Sequence, residues 1–409
     1  MKISAFAKKF ALNVSTVRYY INNGLLVPSK KNEQYEFGQE CIKDMEQILE
    51  YKKFHFSLEE IQLLFFLEKA SRFQDEVVLE VCADILQAKK KELIEEREDL
   101  NAAIDDLELE ISKLPVSVSH NHSKFGIPFS FIPYLYCPHC QTPLKLDSAS
   151  LSEGSLQKGE LWCDCGYKAK IEDGLILCEE FGQESPFKAF TNIDSVFAMT
   201  QEFSTGYRML IAKTYLWMYN QMSPQLETPQ YIMTGPFTFN FLLEYIEKLG
   251  DQHTYIIVDP SLKRIEKIKQ YLSNEPYNMI YIAGDPSQAP IRHGQVDLYI
   301  DDFSTSNYRF TYNSFATEQI APLLCKKGHV VGIFTTYEKA PISLQNFKLD
   351  HPDFDPGKMT LPGLKFCWEK EGVQFREKKS LGETNTTEKH FPRNLLGEPI
   401  QVWGYCAQK

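Results

Sequence analysis

The chain has 409 residues, with 44 Lys+Arg against 55 Asp+Glu and a formal net charge of −11. Its 43% hydrophobic and 24% charged residues match ordinary globular usage, and they exclude a wholly disordered chain, a collagen-like chain and a small disulfide scaffold. At roughly 100–200 residues per domain, the length predicts two to four domains.

The acidic balance taken alone argues against a nucleic-acid partner, but the charge is unevenly placed. Residues 1–32 hold Lys2, Lys8, Lys9, Arg18, Lys30 and Lys31 and no acid, which leaves the rest of the chain 38 Lys+Arg against 55 acids. A basic segment on an acidic body points to a local anionic partner. No run of about 18 apolar residues occurs, so no membrane span is expected. The N-terminus lacks the long apolar core of a signal peptide, and the expected location is cytoplasmic.

Ile3, Phe6, Ala7 and Phe10 recur at helical spacing, followed by a break at Leu12-Asn13. Val14 to Asn23 reads as a second short helix that Asn13 or Ser15 could cap and that Gly24 stops. Two short helices around a tight turn are a helix-turn-helix candidate, the second placed to enter a DNA major groove. Thr16 and Arg18 lie near its start, and Lys30, Lys31 and Tyr35 fall in a short two-stranded wing. Phe56 to Ile61 opens a further helix, with Ser57 and Glu60 in a capping-box pattern.

Residues 1–72 resemble the DNA-binding domain of MerR-family transcription regulators. The matching residues are Ile3, Ala7, Val14, Thr16, Val17-Arg18-Tyr19-Tyr20, Gly24-Leu25-Leu26, Pro28 and Phe56-Ser57-Leu58-Glu59-Glu60-Ile61. The resemblance implies double-stranded promoter DNA as partner, contacted by Thr16, Arg18, Tyr19, Lys30, Lys31 and Tyr35. Near the wing tip the family has Gly-Tyr-Arg, whereas this chain has Gln34-Tyr35-Glu36, so an acid replaces a cation.

Residues 74–114 contain no Gly or Pro. Leu79, Leu86, Leu93, Leu100, Leu107 and Leu114 fall seven apart, with Ala83, Ile104 and Ile111 in interleaved positions and Lys90 and Arg97 inside the seam. Such a seam predicts a coiled-coil helix over 73–115, roughly 60 Å long and ended by Pro115. In the MerR family this position holds the antiparallel dimerisation helix, which implies a homodimer through residues 74–114.

Cys137-Pro138-His139-Cys140 and Cys163-Asp164-Cys165-Gly166 are two knuckles separated by enough chain for a hairpin. Four thiolates suit a closed, structural zinc site with Cys137, Cys140, Cys163 and Cys165 as ligands. A small β-type zinc ribbon is expected over 130–180. It resembles the ribbons that precede some methyltransferase domains. Cys178 is expected in packing, and His120 and His122 as solvated linker residues.

From 186 to 409, apolar runs alternate with helical stretches, the pattern of an α/β sheet. Strands are expected at Tyr231–Met233, Tyr255–Asp259, Met279–Ala283, Val296–Asp301 and Val330–Phe334. Helices are expected at 238–249, 261–273 and 313–325, with an antiparallel edge near 366–376 and 400–407. This order resembles the Rossmann-like fold of class I S-adenosylmethionine-dependent methyltransferases. The resemblance implies cofactor contacts at Gly235, at Asp259 for the ribose and at Asp285 for the adenine.

The family's Gly-rich turn is replaced by Met233-Thr234-Gly235-Pro236-Phe237-Thr238-Phe239, and no Asn/Asp-Pro-Pro-aromatic signature follows the fourth strand, which reads Asp301-Asp302-Phe303-Ser304. The expected chain is therefore a multidomain regulator. It joins a winged helix-turn-helix, a coiled-coil helix, a zinc ribbon and a catalytically silent methyltransferase-like body that senses a small-molecule effector. Through the family mechanism, RNA polymerase becomes a further partner at a distorted promoter. The alternative is an active S-adenosylmethionine-dependent methyltransferase with a DNA-docking domain; the ribbon-then-methyltransferase order resembles rRNA guanine methyltransferases, to which the MerR-like front does not belong.

Overall fold

In the computed structural model, the structure describes residues 1–31, 34–71, 76–113, 126–152, 154–179, 204–236, 240–272, 277–306, 308, 314–350, 355, 357, 360–385 and 397–409. The chain divides into two units, Met1–Val118 and Ser119–Lys409.

The first unit opens with helices α1 (Ile3–Lys9) and α2 (Val14–Asn22). Gly24 has φ +68°, the left-handed conformation that ends a helix without a Cβ clash. The Leu25 N–H returns to the Tyr20 carbonyl at 2.9 Å, so Leu25 and Leu26 turn into the core. Strands β1 (Ser29–Lys31) and β2 (Gln34–Glu36) pair antiparallel as the wing. Helices α3 (Gln39–Lys53), α4 (Leu58–Ser71) and α5 (Glu76–Lys113) follow. Phe6, Val17, Leu25, Phe37, Met45, Ile48, Phe56 and Ile61 form one buried cluster.

Two local signals take the expected form. The Ser57 N–H reaches Glu60 Oε2 at 2.6 Å, and the Glu60 N–H reaches Ser57 Oγ at 3.2 Å, a reciprocal capping box at the start of α4. Helix α5 runs unbroken for 38 residues, with Leu79, Leu86, Leu100, Ile104, Leu107 and Ile111 all exposed. Leu114, Pro115, His120 and His122 lie outside the described residues.

The second unit is built on one sheet. Among the described residues its strands are β3 (Ile127–Pro128), β4 (Lys145–Ser152), β5 (Ser155–Trp162), β6 (Lys168–Glu172), β7 (Leu175–Cys178), β8 (Tyr231–Thr234), β9 (Thr254–Asp259), β10 (Asn278–Ala283), β11 (Val296–Asp302), β12 (Leu324–Thr336), β13 (Gln374–Asn385) and β14 (Pro399–Gln408). Its order is β13-β14-β12-β11-β8-β9-β10-β7-β6-β5-β3, with β4 on β5. Neighbours from β12 to β7 pair parallel, and β14 runs antiparallel to both β12 and β13. Helices α6 (Thr205–Met222), α7 (Asn240–Leu249), α8 (Leu262–Tyr271), α9 (Thr317–Ile320), α10 (Pro341–Asp350) and α11 (Leu361–Lys370) accompany it.

The path β10-β9-β8-β11-β12-β14-β13 is the methyltransferase-like Rossmann order. The chain steps outward from β8 through β9 to β10, then crosses back to β11 on the other side of β8. That reversal is the switch point where open α/β sheets bind ligands. The 130–180 segment continues this sheet: β7 pairs parallel with β10, Ile176 opposite Ile282.

Two expected elements are corrected. The helix expected over 313–325 contracts to the four residues of α9 and a 3₁₀ turn at Ala321–Leu323. Pro322 removes a helical N–H there, and Leu324 already belongs to β12. The edge strand expected near 366–376 starts later, at Gln374, because Leu361–Lys370 is a helix capped by Thr360, whose Oγ1 accepts from the Gly363 N–H at 3.1 Å.

Candidate nucleic-acid interface, metal centre and strand-end crevice

On α2 the core takes Val17 and Tyr20 and leaves Arg18 and Tyr19 outward, with Thr16 half-buried beside them. Lys30 and Lys31 are exposed on β1, and the Lys30 ammonium lies 5.3 Å from the Tyr35 ring centroid. Lys2 forms an antiparallel bridge with Glu36. Glu36 pairs with Ser29 at the base of the wing, away from the turn that joins Lys31 to Gln34, and Lys2 is directly opposed to it there. No local sequence pattern marks Lys2, because it is distant in sequence from the wing.

The four cysteines come together. The Sγ atoms of Cys137, Cys140, Cys163 and Cys165 all lie within 4.8 Å of one another, with Cys137–Cys165 and Cys140–Cys163 each 3.4 Å apart. A tetrahedral Zn–S₄ centre with bonds of about 2.3 Å has sulfurs about 3.8 Å apart, so the set fits a structural zinc ion.

Tight turns shape both knuckles. The Gln141 N–H returns to the Cys137 carbonyl and the Gly166 N–H to the Cys163 carbonyl, each at 2.9 Å. Thr142 Oγ1 lies 3.2 Å from both Cys140 Sγ and Cys163 Sγ. The backbone N–H of Cys165 and the Thr142 hydroxyl bring the Cys163 thiol down to about 6, while burial pushes Cys137 up to about 12. His139 meets the Tyr167 ring edge-on at 5.4 Å. Cys178 is buried in β7, its Sγ 3.4 Å from the Gln288 carbonyl.

The three residues expected at the cofactor crevice are committed to the protein itself. Asp259 ends β9, fully buried, and binds Arg264 of α8: Nη2 to Oδ1 at 2.8 Å, Nε to the two carboxylate oxygens at 3.1 and 3.2 Å. Asp285 accepts the Ser287 N–H at 2.9 Å and the Tyr308 hydroxyl at 3.1 Å. A Cβ on Gly235 would stand 2.3 Å from Ser304 Oγ and 2.3 Å from the Tyr299 hydroxyl. Bare backbone is needed there for the protein's own loop.

That loop is held by the acids ending β11. Asp302 Oδ2 accepts from the Phe241 N–H in the first turn of α7 at 3.2 Å and lies 3.3 Å from the Tyr215 hydroxyl. Asp301 accepts from the Thr305 N–H at 2.8 Å and from the Tyr405 hydroxyl. Phe303, at φ +57°, makes the bend that returns Ser304 to Gly235. S-adenosylmethionine does not fit these residues as they stand, because the ribose acid is taken by a guanidinium and the glycine turn by Ser304. Phe237 and Phe239, the aromatic residues of the replaced Gly-rich turn, lie outside the described residues. Arg264 was legible in principle, as a basic residue in the first helical turn after the strand-end acid.

Comparison with known proteins agrees with the first unit. Residues 1–65 match the MerR HTH family regulatory protein model. The N-terminal unit therefore carries a MerR-family helix-turn-helix domain. Over 80 residues the chain is 35% identical to the HTH-type transcriptional regulator ZntR homolog of Haemophilus influenzae; the alignment spans 19% of this chain and 59% of that relative's length.

Solved structures similar to the second unit include the YcgJ protein of Bacillus subtilis (11% identity, 47% of this chain and 97% of that one, TM-score 0.36). A SAM dependent methyltransferase from Aquifex aeolicus is another (10% identity, 46% and 88%, TM-score 0.31). At such scores the strand order above, rather than these likenesses, carries the methyltransferase-like fold. No helix among the described residues is long and apolar enough to cross a membrane.

Proposed function

We propose that the chain is a dimeric DNA-binding transcription regulator whose methyltransferase-like body is a non-catalytic effector domain. The observation that carries this is the MerR-family domain with Arg18 and Tyr19 outward on α2 and Lys30 and Lys31 exposed on the wing. Helix α2 would read the major groove while the wing cations meet phosphates. By likeness to the family, two copies distort promoter DNA so that RNA polymerase engages it. Such bending costs a few kcal/mol, which protein contacts offset. A small-molecule effector would act through its different affinity for the two promoter states.

Helix α5 supports the dimer. Its exposed Leu79, Leu86, Leu100, Ile104, Leu107 and Ile111 repeat as a seam that a second copy would cover. A groove of about 500 Å³ between Phe54, Phe56, Leu86, Leu93 and Ile94 would take the partner's apolar seam. Zinc on the four cysteines would be structural.

Gel-shift titration of the full chain on its own upstream DNA tests the reading. A specific shift, lost in Arg18→Ala, is expected; no shift at moderate salt overturns it. The active-methyltransferase reading draws on the strand order, but Asp259, Gly235 and the β11 loop oppose it. Calorimetry with S-adenosylmethionine separates the two, and micromolar binding would favour the enzyme.

A further inference from the structure

The ribbon does more to the α/β body than extend its sheet. Both cysteine knuckles touch the chain that follows β10. Beside the first knuckle, the Tyr136 N–H donates to the Pro290 carbonyl at 3.3 Å, and the Tyr134 carbonyl accepts from the Arg292 N–H at 3.0 Å. Leu135 forms an antiparallel bridge with Ile291. Inside that knuckle's turn, Gln141 Oε1 accepts from the His293 N–H at 2.8 Å.

From the second knuckle, the Tyr167 hydroxyl donates to the Gln288 carbonyl at 2.9 Å. Gly284 packs so closely on Cys178 that a Cβ there would lie 2.7 Å from Sγ. The segment so gripped, residues 284–293, carries Asp285 and leaves the end of β10, where the Gly284 N–H donates to the Asp259 carbonyl at 2.9 Å, so it borders the strand-end crevice.

The knuckles are separated by 22 residues of sequence, and Cys140 and Cys165 are exposed. Cys137 and Cys163 share a buried cluster with Leu135, Leu161, Tyr167 and Ile171, and a metal ion on the four thiolates would add a direct cross-link between the two exposed turns. We propose that metal occupancy of the Cys137/Cys140/Cys163/Cys165 centre fixes residues 284–293, so that the metal sets the shape of the crevice wall in the effector domain. This rests on the zinc reading above. Metal bound, both knuckles hold the segment from two sides; metal lost, the cross-link between the two turns goes and the contacts to Gln288, Arg292 and His293 loosen together. The centre would then transmit metal loss to the crevice.

Hydrogen exchange on the full chain, with zinc content measured in parallel, tests this. After complete chelation, amides of 284–293 are expected to exchange at least ~tenfold faster, while β8 and β11 keep their protection. Gln141→Ala retains all four thiols and is expected to keep its zinc while the His293 amide alone loses protection. Unchanged exchange at 284–293 in the metal-free chain overturns the coupling and leaves the zinc reading standing. Loss of protection across the whole sheet also overturns it, since the metal would then hold the entire body. A chain that takes up no zinc overturns both.

Discussion

Arg264 closes on Asp259 from the first turn of α8, with Nη2 2.8 Å from Oδ1, and both residues are essentially fully buried. A strand-end acid that could bind ribose hydroxyls is thereby turned into an internal ion pair. Breaking a buried pair leaves an uncompensated charge. Arg264→Ala is therefore expected to cost about 3–5 kcal/mol of stability, measured by urea denaturation of the second unit's transition. A loss under 1 kcal/mol would show that the pair is not what holds this strand end.

Gly235 and Ser304 are coupled across 69 positions of sequence. Gly235→Ala places a methyl 2.3 Å from Ser304 Oγ and from the Tyr299 hydroxyl, and overpacking of this kind costs about 1–3 kcal/mol. Ser304→Gly in the same chain is expected to return part of that loss, the Tyr299 contact remaining. A double-mutant cycle with no interaction energy would mean that the loop does not lie on the glycine turn.

Burial, aided by the neighbouring Asp301 carboxylate, raises Asp302 to about 7. An acid whose pKa is higher in the folded state binds more protons there than when unfolded. Its contribution is therefore full below the ordinary carboxylate range and is lost as pH rises toward 7. The unfolding free energy of the wild type is expected to fall over pH 4–7 by more than that of Asp302→Asn, by about a few kcal/mol at most, as measured by urea denaturation at each pH. Parallel profiles would refute this.

The wing cations and the α2 cation should separate in salt titrations. Lys30→Ala and Lys31→Ala are each expected to weaken binding to all DNA alike and to reduce the slope of log K against log salt by about 1. If Arg18 reads a base edge, Arg18→Ala should relax sequence preference and cost about 1–3 kcal/mol. Identical behaviour of all three would reduce Arg18 to a phosphate contact.

Helix α5 offers a direct test of the dimer. Leu107→Lys on its exposed seam is expected to shift the chain toward monomer in sedimentation equilibrium, with helicity kept. A monomeric wild type, or a variant still fully dimeric, would remove the seam as the interface.

Local signals in this sequence translated directly into structure. The Gly24 stop, the Ser57/Glu60 box, the Gly- and Pro-free run that becomes α5, and the CxxC and CxC knuckles act within a turn or two of chain, and each appears where its residues put it. The alternation of strands and helices was likewise legible in the apolar runs, and the resemblance to class I methyltransferases implied the Rossmann order. What only the tertiary structure decided lies in contacts made at long range. That Ser304 fills the space above Gly235, that Asp302 grips the start of α7, and that the ribbon seizes residues 284–293 all depend on segments far apart in sequence, 61 residues for Asp302 and Phe241 and 152 for Gln141 and His293, meeting at one end of a sheet. A strand-end aspartate reads the same in sequence whether a cofactor or an arginine receives it. Packing determines which of them does, because a buried carboxylate must find its partner in whatever the fold brings within reach.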